Sequence, residues 1–199
     1  MTADLNRVLC CGENPFIRLS EIDGGPETTV ASFWRNVMSP AGPGHVLYLK
    51  SELTENCWRI WSDNIAMARW LQDTIQGVLN PDLADLTIPV EEAEFEKDGD
   101  PHRFYTEYVA AEDTHLSLTW FDLGDPLMIH TQPGTGDGER PYGVNTVLIP
   151  ASGTRLTLNN EQAGGRSWKR ERDGRPFSTS ALAFCESWTE ARQTTDPLL

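Results

Sequence analysis

Most of this chain alternates apolar and polar positions over short runs, the period of a half-buried β-strand. Such runs cover 45–50, 56–62, 88–97, 102–111, 115–122, 127–131, 144–149, 154–159, 166–172 and 178–188. Turn-forming sequences separate them: Asp98-Gly99-Asp100-Pro101, Gly124-Asp125-Pro126, Ala151-Ser152-Gly153 and Asp173-Gly174. Two stretches carry the helical period instead. Val30, Phe33, Trp34 and Val37 fall at i, i+3, i+4 and i+7, which predicts a short helix over 28–38, capped by Thr28 or Thr29 and broken by residues 39–44, SPAGPG. A longer helix is expected over 63–79. Ile65, Ala68, Ile75 and Val78 form its apolar stripe, Trp70, Leu71 and Leu79 widen it, Ser62 and Asp63 supply caps, and Asn80-Pro81 ends it.

Short links between successive strands impose antiparallel neighbours, because parallel pairing needs a crossover of a dozen or more residues. These patterns predict a mainly β fold, an antiparallel up-and-down meander. A sheet this long tends to curl and remove its edges, so a closed barrel of lipocalin-like or streptavidin-like architecture is the first expectation and a two-sheet β-sandwich or jelly roll the second. A single domain over 1–199 is expected: a helical or irregular N-terminal segment (1–43), a barrel-like body (44–188) and a tail (189–199). The longer break Pro133–Gly143, with Gly134-Thr135-Gly136-Asp137-Gly138, reads as a loop able to cover one end of the body.

Composition narrows the function classes. Lysine and arginine number 16 against 30 aspartate and glutamate, a formal charge of −14. That field opposes phosphate backbones and anionic lipid, so neither a nucleic-acid nor a membrane partner is expected. The four cysteines, Cys10, Cys11, Cys57 and Cys185, show no CxxC spacing, and reduced thiols in a cytoplasmic setting are expected. No apolar leader follows Met1, and no run approaches the roughly 20 apolar residues of a membrane span. His45, His102, His115 and His130 lack the spacing of a metal pair; no nucleophile elbow, P-loop or dinucleotide fingerprint occurs, and no cofactor is implied.

Five of the sixteen basic residues, Arg166, Lys169, Arg170, Arg172 and Arg175, concentrate around the Asp173-Gly174 turn. This local reversal of charge suits a solvated hairpin, or else an acidic partner, a phosphate-bearing ligand or a neighbouring subunit. In the run 103–109, Arg103, Tyr105, Glu107 and Val109 share one face, opposite Phe104, Thr106 and Tyr108; in the next run His115, Ser117, Thr119 and Phe121 oppose Leu116, Leu118 and Trp120. The mixed faces are either wet or line a lumen in which Tyr105, Glu107, His115 and Thr119 are the polar groups. In the last run Glu186 stands in strand phase with Ser180, Leu182, Phe184 and Trp188, while Ala181, Ala183, Cys185 and Ser187 make a small-residue face. A carboxylate among large apolar groups must be paired, protonated or used, unless it reaches water at the strand end. Arg59, beside Trp61 and near Trp58, could stack, hold an anion or pair with Glu186.

The expected role is binding of a small, mostly apolar molecule in a cavity of the β-body, with Trp58, Arg59, Trp61, Tyr105, Trp120, His130 and Trp188 as ligand contacts. The alternative is a small enzyme of isomerase, hydratase or lyase type. It would use a carboxylate, Glu186 or Glu107, with a histidine, His115 or His130, for proton transfer. Assembly into a homo-oligomer is the third class.

Overall fold

The computed structural model describes residues 1–135, 140–172 and 174–192. The chain is mainly β. In order it forms β1 (Ala3–Glu13), β2 (Phe16–Ser20), β3 (Glu27–Met38), β4 (Gly44–Ser51), β5 (Arg59–Ser62), β6 (Val90–Glu92), β7 (Glu94–Asp100), β8 (Phe104–Ala111), β9 (Thr114–Leu123) and β10 (Leu127–Thr131). There follow β11 (Gly143–Leu158), β12 (Glu161–Gln162), β13 (Lys169–Arg172), β14 (Arg175–Ser178) and β15 (Ser180–Ala191). One large mixed sheet runs β6-β5-β4-β3-β1-β15-β11-β9-β8-β7, with β2, β10 and β12 paired alongside; β13 and β14 form a separate hairpin. This order departs from a meander, because β1 lies between β3 and β15 and ties the start of the chain to its end. The parallel pair β5–β6 is joined through the helix, the long crossover that such pairing demands. Although β6 and β7 stand at opposite ends of the pairing path, only Ala93 separates them in sequence.

The sheet buries both of its faces at its centre. On one face Ile17, Leu19, Phe33, Leu47, Leu49 and Trp61 pack against Tyr105, Val109, Leu116, Leu118 and Trp120, so β2–β5 and β8–β9 share a core. On the other face Trp34, Val46, Tyr48 and Ile60 are covered by the helix through Met67, Ala68, Leu71 and Ile75, and the Tyr48 hydroxyl donates to the Ala68 carbonyl at 2.6 Å. We refer to these as the inner and helix-side faces.

Double burial explains the main correction to the sequence expectation. Residues 28–38 are not a helix but most of β3. A strand covered on both faces loses its two-residue alternation, and the spacing of Val30, Phe33, Trp34 and Val37 then imitates a helix. Ala31, Phe33 and Arg35 face inward, Ser32, Trp34 and Asn36 the helix side, and Val37 is 69% exposed. The N-terminal segment is therefore an integral part of the sheet rather than a helical appendage. The second helix forms over Ile65–Leu71, continues as a π-helical stretch, Gln72–Gln76, and ends at Gly77–Leu79. Asn64 caps it through the Met67 N–H, rather than Ser62 or Asp63. Its buried stripe is Met67, Ala68, Leu71 and Ile75, and both Ile65 and Val78 are largely exposed.

Ala151-Ser152-Gly153 is likewise no turn but the middle of the sixteen-residue β11. Gly153 is there because the Phe121 ring of β9 lies where a side chain would stand, 2.2 Å from a Cβ position. Gly124-Asp125-Pro126 redirects the chain rather than forming a hairpin: β10 pairs with β11, not with β9. Of the expected covering loop, residues 136–139 lie outside the described residues, as do 193–199 of the expected tail.

Candidate functional site

A cavity of about 300 Å³ opens on the helix-side face. Its floor comes from β15 and β11: Glu186 and Trp188, with Val144, Thr146 and Leu148. Asn14 and Phe16, from the link between β1 and β2 and the start of β2, form one wall with Ser32 of β3. Gln76, Leu79 and Asn80 at the helix end, Ile129 and Thr131 of β10, and Arg170, Phe177 and Ser178 of the β13–β14 hairpin complete it, with Arg18, Glu27 and Arg140 nearby.

Glu186 reaches this place through a backbone irregularity. Pairing of β15 with β11 runs in register to Phe184 opposite Val147 and resumes with Ser187 opposite Asn145, leaving an extra residue in β15. Cys185 takes a left-handed conformation there, φ 52°. The bulge reverses the alternation, which overturns the expected face. Leu182 and Phe184 point into the inner core, and Phe184 meets Tyr105 edge-on at 5.8 Å. Glu186 and Trp188 turn to the helix side, where Ala181 and Ala183 pack with Leu148 and where Trp188 lies 6.2 Å from Trp34.

Glu186 is only 5% exposed. Its Oε1 accepts hydrogen bonds from Trp188 Nε1 at 2.7 Å and Asn14 Nδ2 at 3.1 Å. Burial pushes its pKa up; Trp188, Asn14, Thr146 and the charge of Arg140 pull in the opposite direction without reversing it. A second tier holds Asn14 in place. Ser32 Oγ donates to Asn14 Oδ1 at 3.2 Å and accepts from Trp34 Nε1 at 3.2 Å and Gln76 Nε2 at 3.1 Å. The polar wall is thus preorganised, with neutral donors aimed at one acid.

The other expected carboxylate, Glu107, is fully buried on the inner face. Its Oε2 accepts from Arg35 Nη2 at 2.6 Å and its Oε1 from the Tyr105 hydroxyl at 3.1 Å. Arg35 Nη1 donates to His45 Nε2 at 2.6 Å. Because a guanidinium has only donors, that nitrogen is the acceptor, and the opposite nitrogen, Nδ1–H, donates to Asp63. Glu13 lies 3.6 Å from Arg35 Nε. Burial pushes the Glu107 carboxyl up to about 7, against the pull of Arg35 and Tyr105.

The other candidate residues stand at separate places in the fold. Tyr105 and Glu107 do face inward, but His115 and Thr119 lie on the outer face of β9, where Thr119 pairs across to Thr106. His115 and His130 are exposed, and His130 lies between Asn145 and Gln132. Neither histidine meets Glu186 or Glu107, so the carboxylate–histidine pairs expected for proton transfer are not assembled. Arg59 pairs with Glu91, not Glu186: Nη2 and Nε donate to Oε1 at 2.5 and 3.1 Å, with the guanidinium 4.8 Å from the Trp61 ring centre. Trp61 and Trp120 are core residues; Trp120 Nε1 donates to the Phe16 carbonyl at 2.9 Å. Trp58 lines a neighbouring cavity of about 330 Å³ that meets the first at Glu27, Leu79 and Asn80. Of the expected ligand contacts only Trp188 lines the Glu186 cavity. Asn14, Ser32, Gln76 and Thr146 carry no sequence signal, being ordinary polar residues drawn from a link, two strands and a helix. Arg170 was within the basic stretch.

Among the described residues, no cluster of three or more His, Cys, Asp or Glu is placed to hold a metal ion, and no helix is long and apolar enough to cross a membrane. No protein-family model, curated protein or solved structure matches this chain.

Proposed function

We propose that this chain binds a small, mostly apolar molecule, and that its barrel-like body carries that ligand in the Glu186 cavity. One observation supports the reading above all. A nearly buried carboxylate, whose direct hydrogen bonds among the described residues come from neutral donors, stands at the floor of a cavity whose other walls include Phe16, Ile129, Leu148 and Phe177. Binding sites of small molecules are mostly apolar concavities with a few placed polar groups, and a buried acid whose protonation is shifted marks such a site. The volume suits a compact ligand of one or two rings.

Native mass spectrometry of freshly purified protein tests the proposal directly, by seeking a retained small molecule. The Glu186→Gln variant preserves shape while removing the charge. It should lose or weaken the retained species about tenfold, the worth of one hydrogen bond to a charged group. Its unfolding free energy should stay within about 1 kcal/mol of the parent, since both neutral donors keep an oxygen to bind. Retention unchanged by Glu186→Gln and by Leu148→Trp, which fills the cavity, would refute the assignment.

A further inference from the structure

The Glu186 cavity and the neighbouring cavity of about 330 Å³ that Trp58 borders share three lining residues, Glu27, Leu79 and Asn80. A line of hydrogen bonds also runs from the shared wall to the first cavity. Asn80 Nδ2 donates to Gln76 Oε1 at 3.2 Å, Gln76 Nε2 to Ser32 Oγ at 3.1 Å, and Ser32 Oγ to Asn14 Oδ1, whose amide holds Glu186. Resting on the reading of the Glu186 cavity as a binding site, we infer that its ligand is a neutral amphiphile of glycoside type. Its apolar body lies in the Glu186 cavity and a hydroxyl-rich, sugar-like ring in the second, against Trp58.

The lining of the second cavity selects this class. Three charged side chains border it, and each has a partner: Lys50 Nζ lies 3.1 Å from Asp82 Oδ2, and Glu27 Oε2 lies 2.7 Å from Arg18 Nη1. An ionic head group would have to displace one of these partners. The uncharged polar side chains are Thr28, Asn56 and Asn80, a hydroxyl and two amides that can each donate and accept. A wholly apolar head would cover them without replacing their hydrogen bonds to water, and that desolvation opposes binding. The hydroxyls of a neutral ring answer donors and acceptors alike. Such a ring also carries an apolar face of C–H groups, which packs on an indole, and Trp58 is the aromatic side chain of this lining.

The orientation follows from the two linings. Phe16, Ile129, Leu148 and Phe177 border the Glu186 cavity and not the second one, so the apolar body belongs with them. The sugar-like ring passes the shared wall at Leu79 and Asn80 and stands between Trp58 and the Lys50–Asp82 pair.

Two probes with the same aromatic body separate the possibilities: 2-naphthyl β-D-glucopyranoside, and 2-methoxynaphthalene, in which a methyl group replaces the sugar. Each is titrated into the folded full chain, with tryptophan quenching and calorimetry as readouts. The glucoside should bind about tenfold more tightly, and raised salt should leave its affinity unchanged, as for any neutral ligand. Trp58→Ala should remove that advantage while leaving 2-methoxynaphthalene within about twofold. Because Trp58 also packs against the helix-side core, the exposed-site variant Asp82→Ala is measured alongside. It takes one acceptor from the second cavity and should weaken the glucoside about threefold. Leu148→Trp should abolish both probes. If 2-methoxynaphthalene binds as tightly as the glucoside, or if the glucoside keeps its advantage in both Trp58→Ala and Asp82→Ala, the glycoside inference is overturned while the cavity reading stands. If neither probe binds, or both survive Leu148→Trp, the cavity reading itself fails.

Discussion

Two buried glutamates sit on opposite faces of one sheet and live in different ways. Glu107, on the inner face, is held by a guanidinium and a phenol, and through Arg35 it joins His45, Asp63 and Glu13 in a chain linking β1, β3, β4 and β8. Glu186, on the helix side, has neutral donors as its direct partners among the described residues and borders a cavity. Adjacent residues serve the two: Glu13 faces the first group and Asn14 the second. A buried carboxylate bonded directly to a cation completes a structural clasp, and removing one member strands the other. A buried carboxylate bonded only to dipoles beside open space keeps the capacity to answer a ligand. Burial and a raised pKa are common to both; the partners and the adjoining volume distinguish them.

The largest test of this contrast is Glu107→Ala. It leaves Arg35 without its closest anion and should cost about 3 kcal/mol of unfolding free energy by denaturant titration, the range for breaking a buried pair. A loss below that measured for Glu186→Gln would erase the distinction. Next comes pH. The folded pKa of Glu107 is raised to about 7, so its protonated form favours the folded state fully below the ordinary carboxyl value of 4.5, and that contribution is lost as pH rises through about 7. Glu186 is shifted in the same direction. Melting temperatures should therefore decline across this window, and Glu107→Gln should flatten the decline more than a surface Glu→Gln control. A smaller effect is expected for Trp188→Phe, which removes one donor to Glu186 together with one ring of a buried indole and should cost about 2 kcal/mol. The smallest is chemical. Cys57 and Cys185 are exposed and should react with a thiol reagent in the native protein, whereas Cys10, buried on the Glu186 side with its thiol pushed up by burial and by Glu186, should react only on unfolding. Labelling of Cys10 at the rate of Cys185 would show that this side opens readily.

The sequence by itself determined that the chain is mainly β, that one long helix ends before Pro81, and roughly where most strands begin and end, because alternation and turn chemistry are local properties. It also singled out Glu186, Glu107 and the basic stretch around Arg170, since a charge in an apolar run is visible without a fold. Tertiary structure decided the rest. β3 imitated a helix because both of its faces are covered, and the turn-like 151–153 became strand because Phe121 covers Gly153. The companions of Glu186 were set by one extra residue at Cys185, which reverses every side chain beyond it. Asn14, Ser32 and Gln76 meet only because strands distant in sequence lie side by side with the helix end above them. Local patterns record what each segment prefers; which side chains converge depends on register, and register is fixed by the whole sheet.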